Sequence, residues 1–299
     1  MPAKFFLPSA LLQSELEQVL EHSWETFPQL APNQIALTWI LYEPPYQVNT
    51  GGALSAEAFW QYQPQGASYR GVELIEPGGL VSLFYLVAAQ VWLEQGMLQS
   101  SAELERAMRD MLDGSTDAMS YVVDALSGTT SGPELPPGPA ETWQYQRNIV
   151  NRYFQQLGWP EMRGVNLSQK VWCDRPYGRE RSFFGETREN KNLLSTDITA
   201  RLLHSIVGGV SVSSGRSQMM MNLLKQTNNT PIRTWSLSGD RPLTSYRASY
   251  IEAPNAHPYQ ISALIKGKDA EQNRAVAEFI EQQILDIAID GRIRETLAT

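Results

Sequence analysis

Apolar residues first recur at helical spacing at Leu12, Leu16, Val19, Leu20 and Trp24, which predicts an amphipathic helix over residues 11–27. Gln34 to Tyr42 (QIALTWILY) is dense in β-branched and aromatic side chains and predicts a strand. Further strands are expected at 58–62 and 69–75, with Gln65-Gly66 as the turn between them. From Leu80 to Gln95 almost every position is apolar, and Gly96 follows as a C-cap. A helix that is apolar nearly all round has to be buried, so this one is expected at the domain centre. Helices are expected at 102–112 and 117–126, followed by a loop at 127–139 (SGTTSGPELPPGP). A single amphipathic helix is expected over 142–157, and a long irregular segment over the arginine-rich stretch 170–192. Helices at 196–207 and 216–226, strands at 233–238, 245–251 and 259–266, and a helix at 270–289 complete the chain.

Strands at both ends around an all-helical middle imply an α/β (α+β) fold. The terminal strands form one antiparallel sheet flanked by helices, and the middle forms a helical subdomain. The expected division is an N-terminal helical extension at 1–30, a sheet subdomain at 31–75 with 230–299, and a helical subdomain at 76–229. No internal repeat is visible.

The chain has 299 residues, enough for a sizeable core, and a formal net charge of -8. That charge excludes non-specific binding to nucleic acid or anionic membrane, which needs a basic surface. Cys173 is the lone cysteine, so no internal disulfide is possible, and it has no histidine or cysteine partner at metal-ligand spacing. The first residues (MPAKFFLP) lack the long apolar core of a signal peptide, and no window is apolar enough to span a bilayer. The expected location is therefore the cytoplasm, with no cofactor and no metal.

The stretch Glu76-Pro77-Gly78-Gly79-Leu80-Val81-Ser82-Leu83-Phe84-Tyr85-Leu86-Val87-Ala88-Ala89 resembles the start of the nucleophile helix of class A serine β-lactamases and penicillin-binding proteins. Residues 113–132 resemble that family's second motif and the helix after it. Residues 176–181 and 193–203 resemble the segment leading into the next helix, and residues 235–252 the strand pair that carries the third motif. The resemblance covers most of residues 30–290 and implies the serine β-lactamase/transpeptidase-like fold.

It also implies that the chemistry has been removed. In the Ser-x-x-Lys motif, Gly79 stands at the nucleophile and Ser82 at the lysine, and glycine cannot form a covalent intermediate. In Ser-x-Asn, Gly114 and Thr116 stand at the two functional positions, with Ser115 between them. In Lys-x-Gly, the residues are Leu237-Ser238-Gly239, so the cation is gone and only the glycine that lets substrate approach is kept. The backbone N–H groups of Gly79 and Asp240 would form the oxyanion hole, with the Asp240 charge working against an oxyanion. Loss of such a constellation typically costs about 10⁶-fold in turnover.

Other constellations are weaker. Ser82 with Tyr85, or Ser115, would be the fallback nucleophiles of a rerouted esterase or amidase. Against this, a tyrosine of ordinary pKa is a poor base, and a buried helical serine usually bonds the carbonyl four residues back. Glu180, Glu186 and Glu189 are the candidates for the family's water-activating glutamate. Arg175, Arg179, Glu180 and Arg181 suggest an ion-pair network holding an irregular loop. His22, His204 and His257 lie in no metal motif, Gly51-Gly52 and Gly208-Gly209 read as turns, and Met219-Met220-Met221 reads as core or as an adaptable contact face. The functional expectation is a pseudoenzyme that binds another protein, with a remnant cleft open to a small molecule as a further possibility. The eight tryptophans and twelve tyrosines suit either an interface or the core.

Overall fold

The computed structural model describes residues 5–42, 55–171, 176–227 and 230–290. Strand β1 (Leu7–Pro8) leads into helix α1 (Ala10–Thr26), whose first turn is capped by the Ser9 hydroxyl accepting from the Leu12 N–H. Strand β2 (Ile35–Leu41), helix α2 (Ala56–Gln61) and strand β3 (Gln65–Tyr69) follow. A short 3₁₀ turn (Gly78–Val81) runs into α3 (Ser82–Glu94). The middle of the chain is helical: α4 (Ala102–Leu112), α5 (Thr116–Ser127), α6 (Pro137–Arg147), α7 (Ile149–Gln156) and α8 (Gly178–Phe184). Then come α9 (Thr196–Val207), α10 (Ser214–Leu224), β4 (Arg233–Arg241), β5 (Thr244–Glu252), β6 (Tyr259–Lys266) and α11 (Ala270–Ile289).

The chain forms two compact units, Met1–Leu80 with Ser195–Thr299, and Val81–Leu194. The first holds a six-stranded sheet of order β1-β3-β2-β6-β5-β4, antiparallel except for the β1–β3 pair. The odd-numbered residues of β2 and β6, from Ile35 to Leu41 and from Tyr259 to Ile265, form one core with Leu12, Leu16 and Leu20 of α1 and Val276, Ile280 and Ile284 of α11. Alternation along the strands turns the intervening residues to the other face, against α9. There Thr38 donates to Asp197 at 2.7 Å, and the Gln260 amide donates to the Ala200 carbonyl at 2.8 Å. Helix α1, expected as a separate extension, is thus part of the sheet's own core.

In the second unit α3 is buried along almost its whole length. Phe84 packs edge-to-face on Phe154, and the Trp92 indole donates to the Leu126 carbonyl at 3.1 Å. The Tyr85 hydroxyl donates to the carbonyls of Leu167 and Gln169 at 3.1 and 2.7 Å.

Several local expectations are corrected. Residues 58–62 are not a strand: 58–61 fall in α2, whose N-terminus is capped by Ser55, and Tyr62 is its C-cap. Gln65-Gly66 is no turn but the start of β3, paired with Leu41 and Ile40. The missing side chain decides this, since a Cβ on Gly66 would lie within 2.6 Å of both Phe6 and Ile40. The expected strand at 69–75 stops at Tyr69, because Arg70 takes a left-handed conformation (φ 52°). The single helix at 142–157 breaks at Asn148, the residue between α6 and α7, whose side-chain oxygen accepts from the Asn151 side-chain Nδ2 at 2.7 Å. Its first half starts earlier, inside the expected loop, with Pro137 at the first helical position.

Candidate functional site

In the sheet unit, β4 and β5 form a hairpin closed by Pro242-Leu243, and its register pairs Leu237 with Ala248 and Gly239 with Tyr246. Directly paired residues share a face, so the Tyr246 side chain rises over Gly239. The Thr244 hydroxyl donates to the Glu76 carbonyl at 3.2 Å and ties this hairpin to the turn that carries Gly78 and Gly79.

Tyr246 fills the space that these glycines leave. A Cβ on Gly239 would lie 2.5 Å from the Tyr246 hydroxyl oxygen, and a Cβ on Gly78 would lie 3.1 Å from the ring. A Cβ on Gly79 would fall on the hydroxyl itself, closer than any real Cβ contact. Tyr246 is 3% exposed. Burial raises its pKa above the usual 10, an effect opposed by Arg241, so the hydroxyl stays protonated at neutral pH.

The face opposite Tyr246 is polar. Asp240 pairs with Ser245, so alternation turns its carboxylate away from Tyr246 and toward Arg247, at 3.4 Å. The expected negative charge beside the backbone N–H of residue 240 therefore lies on the other side of the sheet. Arg247 also donates to the Gly239 carbonyl at 3.3 Å and pairs with Glu281 of α11 at 3.2 Å. Burial raises the Glu281 pKa and Arg247 counters that shift.

The remaining motif positions lie in the helical unit. Ser82 is the first residue of α3 and is 1% exposed, and its hydroxyl has no hydrogen-bond partner. It makes neither the expected bond to a carbonyl four residues back nor a bond to any base. Gly114 forms a turn with φ 94°. Ser115 is the N-cap of α5, its hydroxyl accepting from the Ala118 N–H at 3.2 Å, and Thr116 is the first residue of that helix.

Glu180 is the centre of the ion-pair network expected in its region, but its partners differ from those expected. Arg147 forms a short ion pair with it, Lys170 lies at 3.7 Å, and the Ser131 hydroxyl donates to it at 2.8 Å. Asp124 completes the cluster, 3.0 Å from Arg147 and 2.8 Å from Lys170. Arg179 instead donates to the Pro133 carbonyl at 3.0 Å. Arg175, Cys173 and Gly51-Gly52 lie outside the described residues. Glu186 is exposed, and so is Glu189, whose carboxylate accepts from the Thr187 side chain at 2.8 Å.

His204 is fully buried, and its Nδ1 lies 3.0 Å from the Tyr42 hydroxyl in a cage with Phe5, Phe59 and Trp60. Burial lowers its pKa to about 3, so it is neutral. His22 is exposed on α1 and His257 lies in the turn between β5 and β6. Met220 and Met221 are buried while Met219 is exposed. Among the described residues no cluster of His, Cys, Asp or Glu could hold a metal, and no helix is long and apolar enough to cross a membrane.

Tyr246, Arg147 and Lys170 went unremarked in the sequence. The first had a signal: a hairpin closed by Pro242-Leu243 puts Tyr246 opposite Gly239. The other two come from distant helices and loops and had none.

No protein-family model matches this chain, and no curated protein matches it. Solved structures do match. A β-lactamase from Sphaerobacter thermophilus has a TM-score of 0.60 at 14% identity, covering 92% of this chain and 97% of that one. PBP-A has a TM-score of 0.57 at 15% identity, covering 94% and 98%. The TLA-3 extended-spectrum β-lactamase has a TM-score of 0.58 at 9% identity, covering 93% and 99%. At these identities the likeness establishes the fold: this is a protein of the serine β-lactamase/penicillin-binding-protein type in architecture.

Proposed function

We propose that this protein is a catalytically inactive β-lactamase-like pseudoenzyme, cytoplasmic, whose role is to bind another protein as a scaffold or regulator. The observation that carries the reading is the Tyr246 hydroxyl at the place where a side chain at residue 79 would begin. A serine at 79 has no room while Tyr246 keeps this position, and the glycine that would admit substrate, Gly239, is covered by the same ring. Leu237 at the third motif's lysine position, 3% exposed, supports the same conclusion. So does the placement of Ser82 and Ser115, one buried without a base and one capping a helix. A sensor that uses the remnant cleft loses support for the same steric reason. A binding role is supported by the exposed Tyr145 and Tyr177, aromatic side chains of the kind that anchor protein interfaces.

The test is intact-protein mass spectrometry of the folded chain after incubation with a fluorophosphonate and, separately, with a penicillin. The expected result is unmodified protein in both. A stoichiometric adduct on Ser82 or Ser115 would establish a rerouted serine hydrolase instead.

A further inference from the structure

Strand β3 is covered on its outer side over only part of its length. Strand β1 pairs with it in parallel, Leu7 and Pro8 lying opposite Gln65 and Gly66. The Ser9 N–H donates to the Gly66 carbonyl at 2.9 Å, and there the chain leaves the sheet, because Ser9 caps α1. Backbone hydrogen-bonding direction alternates along a strand, so the next residue of β3 to face outward is Ser68. Ser68 lies opposite Thr38 of β2, and among the described residues nothing pairs with its N–H or carbonyl on the outer side.

A cavity of about 400 Å³ opens at this edge, within the sheet unit. That volume falls in the range of pockets that hold small ligands, about 300–1,000 Å³. Phe6, Pro8, Ala10 and Ala67 supply its apolar lining, and Ser9, Gln13 and Ser68 its polar lining. No charged residue is among the described residues that line it, so nothing there selects an ion of either sign. Open strand edges are usually guarded by proline or a charged side chain. Pro8 guards β1 in this way, but β3 (Gln65–Tyr69, QGASY) contains neither. The site thus offers one backbone donor and one backbone acceptor in a neutral, largely apolar recess. An extended peptide backbone presents the complementary pair.

We propose that this edge binds a short, uncharged, extended segment of a partner protein, which adds to β3 opposite Ser68 and places small apolar side chains in the cavity. In an antiparallel arrangement one peptide residue exchanges both bonds with Ser68. The proposal rests on the partner-binding reading above and gives that reading a place on the sheet unit.

An NMR titration of the ¹⁵N-labelled full chain with acetyl-Ala-Val-Ala-amide tests it. The expected result is saturable shifts of the Ser9, Gln13 and Ser68 amides with a Kd of about 1 mM, weak because a single residue offers its backbone. The same peptide N-methylated at valine lacks the central donor and should bind about fivefold more weakly. Ala10 is exposed and lines the cavity. Ala10→Phe should therefore abolish the shifts and leave Tm unchanged. Equal binding of the two peptides, an undiminished response in the variant, or no response of the wild type at about 10 mM peptide overturns the proposal. Those results leave the pseudoenzyme reading standing, since that reading fails on a covalent adduct, which this titration does not form.

Discussion

The Tyr246 hydroxyl and the α-carbon of Gly79 stand so close that no side chain fits between them. Strand β5 supplies the tyrosine, and the turn before α3 supplies the glycine. Each of Gly78, Gly79 and Gly239 yields volume to the same ring. Replacing Gly79 alone therefore does not rebuild a nucleophile; it forces Tyr246 out of place.

Gly79→Ser should destabilise the protein by about 1–3 kcal/mol, the usual cost of overpacking a well-filled site. Gly239→Ala should act in the same direction. The Gly79→Ser/Tyr246→Gly double variant should be less destabilised than the two single costs added together, because the clash is shared. Urea denaturation of the four proteins measures this. Strict additivity would mean that residues 79 and 246 do not meet.

Ser115→Ala should cost about 1 kcal/mol through loss of the α5 cap and leave reactivity toward fluorophosphonate unchanged. If the wild-type protein were labelled and this variant were not, Ser115 would be a nucleophile.

Glu180→Gln should cost about 3 kcal/mol, because it removes a buried carboxylate from beside Arg147 and Lys170. Replacing Glu180 and Arg147 together with apolar residues should cost less than Glu180→Gln alone. The thermal or urea midpoint reports both. A Glu180→Gln variant as stable as the wild type would show that the cluster is solvated.

Acid should weaken the fold through His204. In the unfolded chain this imidazole takes a proton near its ordinary pKa of 6.5, but in the fold it does so only near 3. Between those values the unfolded state binds more protons, so stability falls as pH drops from about 6.5 toward 3. His204→Phe removes the titrating group and should flatten that slope, whatever it does to stability at neutral pH. Urea midpoints at several pH values across the window decide it, and an unchanged slope would assign the acid sensitivity to other groups.

Elements with strong periodicity were legible in the sequence almost to the residue. Helices α4, α9 and α11 and strands β2 and β6 follow directly from their apolar patterns, because burial of one face dictates the repeat. The buried α3 was also readable. Local pattern failed where partners far along the chain decide the outcome. Gly66 enters a strand because Ile40 and Phe6 pack where its side chain would be. The helical run over 142–157 breaks at Asn148, which ends α6 and precedes α7.

The same division holds at the candidate site. The amino-acid sequence by itself determined that residue 79 carries no nucleophile, that residue 237 carries no cation, and that the elements alternate as this fold requires. Only the tertiary structure decided what stands in their place. Strand register turned Tyr246 onto Gly239 and carried Asp240 to the opposite face, and packing brought Arg147, Lys170 and Asp124 around Glu180. Such contacts depend on distance in space, which residue order along one strand or one helix does not contain.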